Sequence, residues 1–321
     1  MNKIFNIVHD NIPNSQIISI KKLNIAITNE VYVCCYKIKN NKFKVIIKIF
    51  GIDTDKFIDR KKENIIVKVL SDYNIGSTLI THFTYNNKTE QMGRIEKFID
   101  GKTLSCNDIN NKSIAKLISK KMAIFHKIEV PINKEPMLIS MINRFFKMIC
   151  CDIYKKQLII NGVNINDITY CINFLNKKIH KSKSPIMLCH NDLQENNIIM
   201  TPDNELIFID MEYGGYNYIF YDIVNHFYEQ CFDYDINLNP YFQYNDNFPS
   251  IEKQKLFLLE YDKYNNINIQ DFCDELLIYK IASNLFWSLW ALLNINNTTQ
   301  FNHLKYFLIR FDLCYNLIKS Y

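Results

Sequence analysis

HNDLQENNI, residues 190–198, stands between two short apolar runs, Ile186 to Cys189 before it and Ile198 to Met200 after it. Within it His190, Asp192 and Asn197 keep the order His-x-Asp, then Asn five positions on, the spacing of a phosphoryl-transfer loop. Three letters can match by chance in an Asn-rich chain, so their setting decides. Beyond Asn197 the chain runs out through Met200, turns at Pro202-Asp203 and returns through Leu206 to Ile209, ending on Asp210. A hairpin of that kind is expected to bring Asn197 and Asp210 side by side. An amide oxygen and a carboxylate together suit Mg²⁺, a hard cation that takes oxygen ligands, and Glu212 could assist. Asp192 is then free to orient or deprotonate an alcohol.

Upstream, Gln16 to Leu23, Val31 to Ile38 and Phe43 to Phe50 are runs of Val, Ile, Tyr and Phe that read as an antiparallel meander. Helical spacing follows from about Lys56 to Tyr73, with Ile58, Ile65, Val69 and Ile66 expected inside. Strands are expected again near Leu79 to Tyr85 and Met92 to Phe98. Lys48 interrupts an apolar strand, and Glu63 lies in the helix after it. Alone, Lys48 reads as an edge-strand lysine facing solvent. With the loop downstream, it reads as the lysine on the phosphates of ATP, held by Glu63. The first glycine is Gly51, so no glycine-rich phosphate loop precedes Lys48. The turn Asn24 to Asn29 must serve, through its backbone N–H groups and the Thr28 or Asn29 side chain.

From Asn107 onward the chain reads as mainly helical, beginning with the stripe Ile114, Leu117, Ile118, Met122 and Phe125. The fold class is therefore α+β: a β-rich N-terminal lobe over residues 1–98 and a mainly helical lobe over residues 99–321. With 321 residues and roughly 150 per domain, two lobes are the natural division. Net charge is +5, from 38 basic and 33 acidic residues without a long single-sign run, so no nucleic-acid footprint is expected. Ten cysteines form no C-x-x-C, so neither a zinc knuckle nor a redox pair is suggested. Met1 to Ile20 lacks a signal-peptide core, and the greasiest run, Leu285 to Ile295, is shorter than a span of about 20 residues. A cytoplasmic location without membrane insertion is the default expectation.

Several separated blocks now carry a resemblance. Ile27-Thr28-Asn29, GRIEKFI from Gly93, KMAIFHKIEVPINKEP from Lys121, HNDLQENNI from His190, IDMEYGGYNYIFYDIVNHFYE from Ile209 and FWSLW from Phe286 all resemble blocks of the choline/ethanolamine kinases. The likeness spans nearly the whole chain and leans to the choline side, in GRIEKFI and in Asp233-Tyr234 after Glu229. The chain departs from the family at Ile25-Ala26, where a glycine pair is usual, and at Met211, where Phe is usual. The resemblance implies a bilobal protein-kinase-like fold, ATP and Mg²⁺, and phosphocholine made for phospholipid synthesis. It implies Asp192 as base, Asn197 and Asp210 at magnesium, and Gln194 near the phosphates. Adenine would lie between the lobes on the backbone of Glu96, Lys97, Phe98 and Ile99. Family members are often dimers, so a homodimer is possible.

A quaternary ammonium has no N–H donor, so aromatic faces and nearby negative charge must select it. Trp287 and Trp290, the chain's two tryptophans, sit three apart on an expected helix and share a face. Plain core packing is their alternative reading. The resemblance places Tyr213, Glu229, Tyr234 and Tyr306 in the same pocket. Ethanolamine kinase is the neighbouring reading, its primary ammonium needing hydrogen-bond acceptors. A non-catalytic binder is a reading of another class, and an antibiotic phosphotransferase leaves the aromatic set unexplained. His126, His190 and His226 are expected to hold structure.

Overall fold

The computed structural model describes residues 2–23, 29–51, 54, 57–73, 75–85, 91–150, 152–296 and 299–321. Thr28 and the Ile25-Ala26 departure lie outside them. The chain forms two compact units, one of Met1–Lys102 with Ile199–Glu212, the other of Thr103–Ile198 with Tyr213–Tyr321.

In the first unit, strands β1 (Gln16–Leu23), β2 (Asn29–Ile38), β3 (Asn41–Phe50), β4 (Leu79–Tyr85) and β5 (Gln91–Lys97) form an antiparallel sheet in the order β1-β2-β3-β5-β4. Their β-branched and aromatic residues suit a pleated, half-buried surface. A helix that the sequence reading did not identify, α1 (Asn2–Asn11), buries Ile4, Ile7 and Val8 against Val45, Ile47, Ile49 and Ile95. The i, i+3, i+4 spacing was present, but only in a short amphipathic segment.

Helix α2 (Arg60–Asp72) starts at Asp59, whose side chain accepts the Lys62 N–H. Its inward face is Arg60, Glu63, Ile66, Val67 and Leu70, while Ile65 is exposed and Val69 half-buried. The expected face was therefore rotated. Two charged residues occupy the buried stripe, and hydrophobic periodicity cannot register them. The hairpin after Asn197 forms, pairing Ile198–Met200 with Leu206–Phe208.

Gly93 on β5 shows why this unit needs a glycine where it has one. A Cβ there would lie 2.4 Å from the Lys48 carbonyl oxygen and 2.4 Å from the Phe83 ring. Gly93→Ala should therefore cost about 1–3 kcal/mol through overpacking. A thermal melt checks this, and an unchanged midpoint would contradict the close approach.

The second unit is built on the helix Ile269–Leu293, which packs against the helices Met137–Ile149, Ile219–Glu229 and His303–Lys319. By length and composition this helix could cross a membrane, and 78% of its apolar window is buried inside the protein. The run from Leu285 is thus part of a longer apolar element than the sequence reading allowed. Asn111 caps the helix Lys112–His126, which buries Ile118, Met122, Ala123 and Phe125 but exposes Leu117.

Candidate functional site

Lys48 and Arg94 face each other across β3 and β5. Two cations in register repel unless a carboxylate joins them. Glu63 does so, 3.6 Å from Lys48 Nζ, while accepting Arg94 Nη1 at 2.6 Å and Arg60 Nη1 at 2.7 Å. Burial opposes the Glu63 charge, but Arg94, Lys48 and Arg60 outweigh it and hold the carboxyl well below the usual range. Lys48 Nζ also donates to Asp210 at 2.5 Å. Burial alone would favour loss of its proton, yet Asp210 and Glu63 hold its pKa above the ordinary value.

Glu212 accepts the Asn29 amide at 3.0 Å and lies 3.6 Å from Arg60 Nη1. Arg60 Nη2 donates in turn to Asn29 Oδ1 at 2.9 Å. Burial first, then the Asp210 charge, pushes the Glu212 carboxyl up to about 7 despite Lys48 and Arg60. Two crowded carboxylates are relieved by a divalent cation, so Asp210 and Glu212 fit magnesium as oxygen donors. Asp210 has φ 65°, a strained backbone state for a residue with a Cβ and one often kept at functional positions. Along Glu96 to Ile99, the Lys97 and Phe98 N–H groups donate to Thr78 and Lys44 carbonyls. The Glu96 carboxylate is held by Arg94 and Ser77.

In the second unit, Asp192 is half-buried on the loop after Ile186–Cys189. Asn197 Nδ2 donates to its carbonyl at 2.8 Å and to its carboxylate at 3.2 Å. Gln194, also half-buried, returns its N–H to the same carbonyl at 3.0 Å. Asn197 lies in this unit and Asp210 in the other.

The loop hangs on Asp222, which the sequence reading did not single out. Its carboxylate accepts the N–H groups of His190 at 2.9 Å and Asn191 at 2.7 Å, and His126 Nε2 at 3.0 Å. Asn191 has φ 65° and donates to the Tyr213 carbonyl at 2.9 Å. His226 Nδ1 meets the Leu193 carbonyl at 2.9 Å. His126 Nδ1 also meets the Tyr261 hydroxyl at 2.5 Å, and His190 Nδ1 accepts the Asp192 N–H at 3.3 Å. A cue to Asp222 was available, an acid in the first turn of a helix that opens on the apolar residues Ile219, Phe220 and Tyr221.

The nominated aromatic residues lie in one chain of contacts in this unit. Tyr213 meets Trp287 at 5.3 Å between centroids, Trp287 meets Trp290 at 5.5 Å, Trp290 meets Tyr306 at 6.4 Å and Tyr306 meets Tyr234 at 6.4 Å. Trp287 is oriented by its Nε1 bond to Asn225 at 2.7 Å. Tyr234 donates its hydroxyl to Glu229 at 2.7 Å. The sequence reading gave Glu229 to the substrate as a negative charge, but Arg310 Nη2 is bound to it at 2.6 Å, so its charge is already neutralised. The signal for Arg310 was its place one helical turn after Tyr306.

The sequence profile of the choline/ethanolamine kinase family matches residues 20–315. A probable choline kinase 3 of Arabidopsis thaliana is 28% identical over 315 residues, covering 94% of this chain and 87% of its own. A probable ethanolamine kinase A of Dictyostelium discoideum is 31% identical over 313 residues, covering 93% and 85%. The solved structure of a choline kinase from Cryptosporidium parvum aligns with a TM-score of 0.77 at 24% identity, over 99% of this chain and 95% of that one. The expected protein-kinase-like fold is thereby shown.

Proposed function

Because the chain belongs to the choline/ethanolamine kinase family of alcohol phosphotransferases, we propose that it transfers the γ-phosphate of ATP to choline. One observation carries this reading: Tyr213, Trp287, Trp290, Tyr306 and Tyr234 gather in the same unit as Asp192. An ammonium without N–H donors is recognised by such faces.

Lys48, kept charged by Asp210 and Glu63, would bind the ATP phosphates, with Asn29 and Gln194 as further polar contacts. Adenine would use the backbone of Glu96 to Ile99, chiefly carbonyls and the Ile99 N–H, since Lys97 and Phe98 donate within the protein. Asp210 and Glu212 supply oxygens suited to magnesium, and the sequence nominates the Asn197 amide oxygen as a third ligand. The ion would neutralise phosphate charge. Asp192, its carbonyl fixed by Asn197, orients the alcohol and accepts its proton as the oxygen attacks phosphorus. Positioning is most of what phosphoryl transfer requires.

The test is ADP release from Mg-ATP with choline and ethanolamine side by side. A higher kcat/KM for choline is expected. An ethanolamine preference would replace the substrate, and no magnesium-dependent turnover with either would favour a non-catalytic binder.

A further inference from the structure

Arg310 is fully buried, with its guanidinium 4.1 Å from the Phe232 ring centroid and 5.1 Å from that of Tyr306. Its Nε and Nη2 both donate to the Tyr306 hydroxyl oxygen, at 3.1 and 2.8 Å, and Nη2 also donates to Glu229 Oε1 at 2.6 Å. The Tyr234 hydroxyl gives its single proton to Glu229 Oε2 at 2.7 Å. The bond between the two tyrosine hydroxyls, 3.1 Å, must therefore run from Tyr306 to Tyr234. A ring closes: Arg310 to Tyr306, Tyr306 to Tyr234, Tyr234 to Glu229, and Glu229 back to Arg310.

The ring decides what the aromatic cluster offers to a ligand. Both carboxylate oxygens and both hydroxyls at its edge already hold partners. The Trp287 N–H is spent on Asn225, and the Trp290 N–H, which has no partner among the described residues, is a donor that an ammonium cannot use. The ring faces are untouched by these bonds. A head group carrying N–H donors exchanges water for oxygens already shared with Arg310 and Tyr234, whereas a fully methylated one has no donor to satisfy.

We infer that Arg310 is a specificity-determining residue: by neutralising Glu229 and occupying Tyr306 it weakens the cage's hold on N–H donors and favours a quaternary ammonium. This rests on the proposal that the cluster holds the substrate's ammonium group. Arg310 reaches the substrate through its neighbours and is a positioning residue, so the readout is a ratio between head groups. A general loss of structure would lower turnover of every alcohol alike.

The experiment compares kcat/KM for choline, N,N-dimethylethanolamine and ethanolamine in the full chain and in two variants. Tyr234→Phe removes one hydroxyl and frees Glu229 Oε2 as an acceptor, with little change of shape. Its choline-to-ethanolamine ratio should fall about tenfold, the effect of one charged hydrogen bond, mainly through a lower KM for ethanolamine. Arg310→Met should lower the ratio further, since it uncovers the charge as well. Should that variant fail to fold, Tyr234→Phe decides alone. A ratio within twofold of wild type in Tyr234→Phe overturns the inference. So does an Arg310→Met protein that folds and slows all three alcohols equally. The choline reading fails separately, by a wild-type preference for ethanolamine, and the change of ratio in the variants still reports on Arg310.

Discussion

Asp192→Asn is expected to lower turnover with choline by about 10²- to 10⁴-fold, the usual contribution of a general base in proton transfer. The amide keeps the size of the carboxylate, and the loop is fixed mainly through backbone: Asn197 Nδ2 holds the Asp192 carbonyl at 2.8 Å and Gln194 N–H meets the same oxygen at 3.0 Å. What the variant loses is the negative oxygen that the proposed mechanism assigns to the alcohol's proton. ATP affinity should stay within about threefold, less than 1 kcal/mol, because Lys48, Glu63 and Asp210 keep their ion pairs. Paired measurements of ADP release and nucleotide binding by titration calorimetry check both halves. Wild-type turnover in the variant would remove Asp192 from the mechanism, and a matching loss of ATP affinity would make it a nucleotide ligand.

The largest effect on stability is expected at Asp222. Its fully buried carboxylate accepts the His190 and Asn191 N–H groups and the His126 ring N–H. Asp222→Ala would leave three buried donors unsatisfied, a loss of about 3–5 kcal/mol on the scale of broken buried charge networks. Turnover should fall too, since the φ of 65° at Asn191 is maintained by these bonds and Asp192 follows it. Thermal melts of both proteins measure the first effect.

The pH dependence has a definite sign. Burial pushes the Asp222 carboxyl up, but its bonds to His126 and the His190 amide outweigh that and lower it overall. A folded-state pKa below the unfolded value of about 3.9 means the contribution is complete above that pH and is lost as pH falls through the folded value. The gap in stability between wild type and variant should therefore persist at neutral pH and close below about pH 4. A variant as stable as wild type at neutral pH would refute the role.

Much of the fold was legible because the chain states it locally. The strands of the first sheet alternate or cluster β-branched residues between clear turns, and the hairpin carrying Asp210 is marked by Thr201 to Asn204. Two inward faces were misjudged, at α2 and at Leu117, for related reasons. Arg60 and Glu63 are buried because they neutralise one another, and the inside of the Lys112–His126 helix includes Ser119 and His126 as well as apolar groups. Periodicity of hydrophobic residues sees neither. Asp222 and Arg310 were missed as well, since a charge is recognised as internal only when its partners are known.

By itself the sequence determined the family and the α+β class, and it nominated the loop around Asp192 for phosphotransfer. These depend on residue type and short spacing, which the chain carries in contiguous blocks. Tertiary structure alone decided how charges pair over long separations. Glu63 reaches Arg94, Asp222 fastens His190 and Asn191, and Glu229 is taken by Arg310, 81 residues on. A carboxylate's neighbours fix whether it stays ionised and which of its oxygens are open, and folding supplies those neighbours. The loop His190–Ile198 thus has its chemistry written in its letters and its rigidity written elsewhere in the chain.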